Sequence, residues 1–101
     1  MTSPSYVVHA GVQATLADHS AGAAAGTLMP ADHVVLSVEF KIQLLRPAVG
    51  ERLLCRAHVI RPGRQIVATE SNVFACRGED EKLVSKLTAT MMYVPAERFS
   101  G

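Results

Sequence analysis

Tryptophan is absent from this chain, and aromatic residues supply only 5% of it. With so few ring faces on which bases could stack, a platform for single-stranded nucleic acid is not expected. A surplus of one charge is missing too. Ten Lys and Arg stand against nine Asp and Glu, mixed along the chain, for a formal net charge of +1. That balance gives neither the basic stripe that meets a phosphate backbone nor an electrostatic attraction to an anionic membrane, so no nucleic acid and no membrane partner is expected. No apolar run approaches the roughly 20 residues that span a bilayer. The first residues do not show the basic-then-apolar layout of a secretory leader, and the expected address is the cytoplasm. Cysteine is scarce: Cys55 and Cys76 lie far apart, without the Cys-x-x-Cys spacing of a metal or redox site, and are expected as buried thiols.

What the chain does have is apolar content. Hydrophobic residues make up 49% of it, too many for a disordered segment. A single domain over residues 1–101 is expected, large enough for a core but small enough that a partner subunit would help. Residues 11–25 read as the one helix. Ala14, Ala17, Ala21, Ala24 and Ala25 favour it, their small side chains would let a sheet approach the axis, and Gly26 would end it in the left-handed conformation. Asp18 does not suit this helix. Aspartate is a poor former in mid-helix, lies beyond the first turn where the dipole favours its charge, and here has Ala14, Thr15, Ala21 and Gly22 as its nearest neighbours on the helix surface. Such a carboxylate is either a solvated accident or a functional group.

From His33 the period changes to two. Val34, Leu36, Val38, Phe40, Ile42 and Leu44 are expected on one apolar face, with Val35, Ser37, Glu39, Lys41 and Gln43 on the other. Leu53, Cys55, Ala57 and Val59 mark the inner face of a second strand, which a Pro62-Gly63 turn joins to a third with Val67, Thr69, Ser71, Val73 and Ala75 inside. A solvated turn at residues 78–81 leads to a fourth strand rich in β-branched residues, and residues 96–101 are expected to fray. One helix followed by a meander of long antiparallel strands gives an α+β fold, with a curved sheet wrapped around the helix. Such an open sheet has an edge, which a second copy commonly covers.

Four short patterns, in register over most of the chain, resemble the hotdog-fold acyl-CoA thioesterases, and within them the phenylacetate-degradation (PaaI-type) branch. The family carries His-Gly-Gly, six further residues, then Asp in an Ala-rich helix; here the places hold His9-Ala10-Gly11 and Asp18. Arg46-Pro47-Ala48 matches the end of a family strand. Ser37, ten residues before Pro47, falls where several relatives carry a catalytic Ser or Thr, and Arg61-Pro62-Gly63-Arg64 is similar to the family's basic turn. The chain departs from the pattern at Ala10 for glycine, at Tyr6 where glycine is common, and at Ser3 where many relatives have asparagine. The resemblance also implies an N-terminal strand that is shortened or missing here.

The resemblance implies an enzyme that hydrolyses an acyl-CoA to a free acid and coenzyme A, acting as a dimer or tetramer without metal or other cofactor. Asp18 would be general base or nucleophile, desolvated by its apolar neighbours. Backbone N–H groups at Ala10 and Gly11 would face the oxyanion at the helix start. His9 would orient that turn, Ser37 would help hold the water, and Ser3 would lie near the substrate. Asp18 of one chain would face Ser37 of its partner. Arg61 and Arg64 are candidates for the coenzyme A phosphates, since guanidinium forks suit phosphate, although hairpin-tip charges are usually just solvated. Rival readings are a non-catalytic acyl-CoA-binding or structural hotdog protein, in which Asp18 is only a polar interface residue, and a dehydratase of the same fold. A metal site from His9, Asp18 and His19 is disfavoured, because adjacent residues such as Asp18 and His19 point to different sides of a helix.

Overall fold

The computed structural model describes residues 10–99, so Ser3, Tyr6 and His9 fall outside the described residues. Helix α1 (Ala10–Gly26) comes first, followed by strands β1 (His33–Leu44), β2 (Arg52–Arg61), β3 (Ile66–Arg77) and β4 (Asp80–Pro95). A short 3-10 helix, Ala96–Phe99, continues from β4 where a frayed tail was expected. All four strands form one antiparallel sheet, and α1 contacts every one of them. Among the described residues, no helix is long and apolar enough to cross a membrane.

Alanine sets the distance between helix and sheet. Ala17, Ala21 and Ala25, four residues apart on one stripe, are each 0% exposed. Beneath them lie Val67, Val73, Leu87 and Met91, also fully buried, each worth about 1.5–3 kcal/mol relative to full exposure if the larger side chains set the scale. Two buried hydroxyls fasten the helix to this floor. Ser71 Oγ donates to the carbonyl of Ala17 at 2.7 Å, and Tyr93 Oη donates to that of Ala25 at 2.6 Å. Burial raises the pKa of the Tyr93 phenol, which favours the protonated form that this bond requires.

The helix does not end through a left-handed Gly26 as expected. Thr27, Leu28 and Met29 instead donate their N–H groups to carbonyls three residues back, so the last turn tightens into a 3-10 form. The left-handed positions are Asp32 (φ 60°), just before β1, and Gly78 (φ 59°). Gly78 and Glu79 form the two-residue turn between the paired residues Arg77 and Asp80, where a glycine with positive φ fits the twist of the hairpin.

The strand order is β1-β4-β3-β2, which corrects the expected meander. Strands β2, β3 and β4 are consecutive neighbours, but β1 pairs with β4, and residues 45–51 cross from one edge of the sheet to the other. A break in register leaves Val84 as an extra residue opposite β3, and its carbonyl accepts the N–H groups of Leu45 and Arg46 at 2.8 and 3.3 Å. Farther along the crossing, Ala48 is buried, and a Cβ on Gly50 would lie 2.8 Å from the Cys76 carbonyl, so this close approach admits only glycine without a shift.

The inner face of β3 follows the sequence pattern, with Val67, Thr69, Ser71, Val73 and Ala75 all buried. Strand β1 departs from it. Ser37 is opposite Met91 and Glu39 is opposite Thr90, so Val38 is an inserted residue and the strand changes parity there. Residues directly opposite in a ladder share a face. Val35 and Ser37 therefore turn to the helix side of the sheet with Tyr93 and Met91, whereas beyond the bulge Phe40 and Ile42 turn to that side with Ala89 and Leu87, Ser37 and Phe40 remaining open to solvent. The single apolar face expected over residues 34–44 is in fact split between the two sides of the sheet.

Candidate functional site

The parity change in β1 gives the candidate site its geometry. Asp18 lies on the flank of α1, one step round from the buried Ala17–Ala21–Ala25 stripe, and is half-buried. Ser37, turned inward ahead of the bulge, donates its hydroxyl hydrogen to Asp18 Oδ1 at 2.7 Å. Charge-assisted O–H···O⁻ bonds have this short length. The pair forms within one chain, which corrects the expectation that the two residues would meet across two protomers. Its physical cause is the extra residue Val38, because an unbroken alternation that puts Phe40 and Ile42 inside would leave Ser37 on the outer face.

Below Ser37 lies a residue that sequence reasoning missed. The Met91 Sδ is 3.3 Å from Ser37 Oγ, a second acceptor for the same hydroxyl. Only the cross-strand register brings Met91 opposite Ser37, and no local pattern in the fourth strand singles it out.

The other predicted site residues divide into two groups. Ala10 opens α1 and Gly11 follows it in the first turn. Gly11, Val12, Thr15, Leu16 and His19 line an open groove of about 720 Å³ along the helix face turned away from the sheet. Arg61 and Arg64 are not brought to Asp18. They sit at the exposed β2–β3 turn, separated from β1 by two intervening strands. Among the described residues, no group of three or more His, Cys, Asp or Glu could hold a metal ion. Cys55 and Cys76 are free thiols, half-buried and buried respectively.

The outer face carries a separate set of ion pairs. Glu70 receives Lys86 Nζ at 3.0 Å, Asn72 Nδ2 at 3.4 Å, and lies 3.5 Å from His58 Nε2. The hydrogen bond from Lys86, more than any other influence, holds the Glu70 carboxyl below the usual carboxylate range. Arg56 makes two hydrogen bonds to Glu81, at 2.9 and 3.1 Å, with its guanidinium 4.9 Å from the centre of the Phe74 ring. That pairing, led by the hydrogen bond from Arg56, lowers the Glu81 pKa.

The model of the thioesterase superfamily matches residues 6–82. A thioesterase family protein from Silicibacter pomeroyi is 39% identical, with a TM-score of 0.85 over 88% of this chain and 65% of that one. A Bacillus halodurans protein solved with CoA is 26% identical, with a TM-score of 0.81 over 92% of this chain and 63% of its own. A phenylacetic acid degradation-related protein from Ralstonia eutropha, 24% identical with a TM-score of 0.76 over 89% and 65%, shares the fold. The helix wrapped by a curved antiparallel sheet is the hotdog fold of these structures. The chain spans less than two thirds of the length of each of the three. No curated protein matches it.

The Glu70 cluster generates a pH prediction. Its folded pKa lies below the unfolded value of about 4.3, so its contribution is present at neutral pH and is lost as pH falls through the folded value. Urea denaturation should find Glu70→Gln about 0.5–1 kcal/mol less stable at pH 7, with a difference that shrinks toward pH 3. A difference that stays constant from pH 7 to pH 3 would remove the cluster from the account.

Proposed function

The chain belongs to the thioesterase superfamily, and from that premise we propose that it hydrolyses an acyl-CoA thioester to a free acid and coenzyme A, as in the phenylacetate-degradation branch. The observation that carries the reading is the 2.7 Å bond from Ser37 Oγ to Asp18 Oδ1 at the border between the buried and open faces of α1. Because the Ser37 hydrogen is committed to Asp18, the lone pairs of Oγ are left to accept a hydrogen bond. A water beside the pair would then donate one hydrogen to the carboxylate and the other to Ser37, with its oxygen aimed at the thioester carbon. As general base, Asp18 takes the first proton while the water oxygen bonds the carbonyl carbon and the thiolate of coenzyme A departs.

The nucleophilic route uses the same groups. An Asp18 oxygen bonds the carbonyl carbon, the thiolate leaves, and water cleaves the resulting anhydride to restore the carboxylate. Either route develops negative charge on the carbonyl oxygen, for which the N–H groups at the start of α1, at Ala10 and Gly11, are the assigned donors. The family motif would give His9 an orienting role and Ser3 a place near the substrate, and both residues lie outside the described ones. Coenzyme A as carrier is supported by the CoA in the Bacillus halodurans relative, and Arg61 and Arg64 are the candidate partners for its phosphates. No metal or other cofactor enters either route.

A homodimer is the proposed working unit. Val12 is 55% exposed on the groove of α1, and β1 has β4 as its only strand partner among the described residues, so the domain presents both an apolar helix face and an open strand edge. A second copy of this chain would cover both. Sedimentation at micromolar concentration should give twice the mass of the chain, and Val12→Asp should give the single mass. A wild-type protein that sediments as a monomer contradicts the dimer.

The activity is tested with a panel of acyl-CoAs and a thiol reagent that reports free coenzyme A. Asp18→Asn should lower kcat by about 100-fold or more, and Ser37→Ala by about two- to tenfold. Release no faster than the blank with the wild type, or an unimpaired Asp18→Asn variant, would overturn the reading. Calorimetric binding of coenzyme A without turnover would favour the non-catalytic alternative.

A further inference from the structure

Ser37 has one hydroxyl hydrogen and two acceptors within reach. One is the Asp18 carboxylate at 2.7 Å, the other the Met91 thioether at 3.3 Å. Met91 is 0% exposed, and it faces Ser37 directly across the β1–β4 ladder, on the last paired position before the bulge. It is therefore fixed in place at the point where β1 is least regular. A serine hydroxyl on an edge strand otherwise rotates freely among its staggered positions, and Ser37 is open to solvent.

We propose that Met91 is a positioning residue for thioester hydrolysis, giving the Ser37 hydroxyl a second acceptor that keeps it in the site when Asp18 is no longer charged. This inference rests on the reading of Asp18 and Ser37 given above. The thioether is a weak acceptor and cannot donate. It therefore does not compete with a carboxylate for the hydrogen while Asp18 is charged, and it does not block the Ser37 lone pairs with a donor of its own. When Asp18 has taken a proton or carries the acyl group, its hold on the hydroxyl weakens, because the bond is no longer charge-assisted. Met91 then offers the same hydrogen a nearby place, so Ser37 stays in the site through the cycle. The hydrogen remains covalently on Ser37 throughout, and no bond to sulfur forms or breaks.

The role is separable from packing. Leucine replaces methionine in cores at small cost, because it conserves volume, but it removes the sulfur acceptor. Met91→Leu should lower kcat by about twofold, and by no more than Ser37→Ala does, with KM unchanged, and should have no further effect in a Ser37→Ala background. A Met91→Leu variant as fast as the wild type would overturn the proposal, as would an equal loss in both backgrounds, which marks a packing effect. If Met91→Leu does not fold, norleucine incorporated for methionine keeps the side-chain shape without sulfur and is read in the same two backgrounds. Wild-type turnover separates the two levels of the account: without it the hydrolase reading fails, whereas with it an unaffected Met91→Leu sinks only the role of Met91.

Discussion

The close approach of α1 to the sheet is the constraint on which the rest of the molecule depends. Ala17, Ala21 and Ala25 present only methyl groups to the strands, and all three are fully buried. Larger side chains on that stripe would lift the helix, since interiors are close-packed and cannot absorb the added volume without displacement. At this separation the hydroxyls of Ser71 and Tyr93 reach the carbonyls of Ala17 and Ala25. The same separation lets a short aspartate on the flank of the helix meet a serine on the edge strand. Packing, anchoring and the candidate site therefore share one dimension.

A second device acts on the strand side. Bulges re-aim side chains, and the one at Val38 reverses the facing of β1 partway along its length. Ser37 and Val35 face inward on one side of it, Phe40 and Ile42 on the other. Without the reversal, either the serine or the two large apolar residues would face outward. The strand thereby supplies a polar group beside Asp18 and apolar groups beside Ala89 and Leu87, although its sequence reads as a simple alternation.

The contrast between residues that could be read from sequence and those that could not has a physical basis. Asp18 stood out because it conflicts with its own helix, and β3 was legible because Val67, Thr69, Ser71, Val73 and Ala75 keep strict period two with a packed partner on one side. Val38 gave no signal, since valine suits either face of a strand. For the same reason an unbroken alternation puts Ser37 on the outer face, whereas its meeting with Asp18 across two chains is an expectation of the family resemblance alone. The crossing of residues 45–51 was also hidden, because a Pro and Gly connection reads the same whether it joins neighbours or passes across the end of a sheet. Gly26 looked like a left-handed stop, but bonds from Thr27, Leu28 and Met29 finish the helix without one. Met91 became visible only through long-range register, which no local window contains.

Asp18 and Ser37 are proposed to act as one unit, joined by the 2.7 Å hydrogen bond. A double-mutant cycle on kcat tests it most directly, comparing Asp18→Asn, Ser37→Ala and the two combined. Groups that work through each other give losses that do not multiply, so the double variant should be no slower than Asp18→Asn alone. Losses that multiply would mean that the two side chains act independently and that their hydrogen bond is incidental to the chemistry.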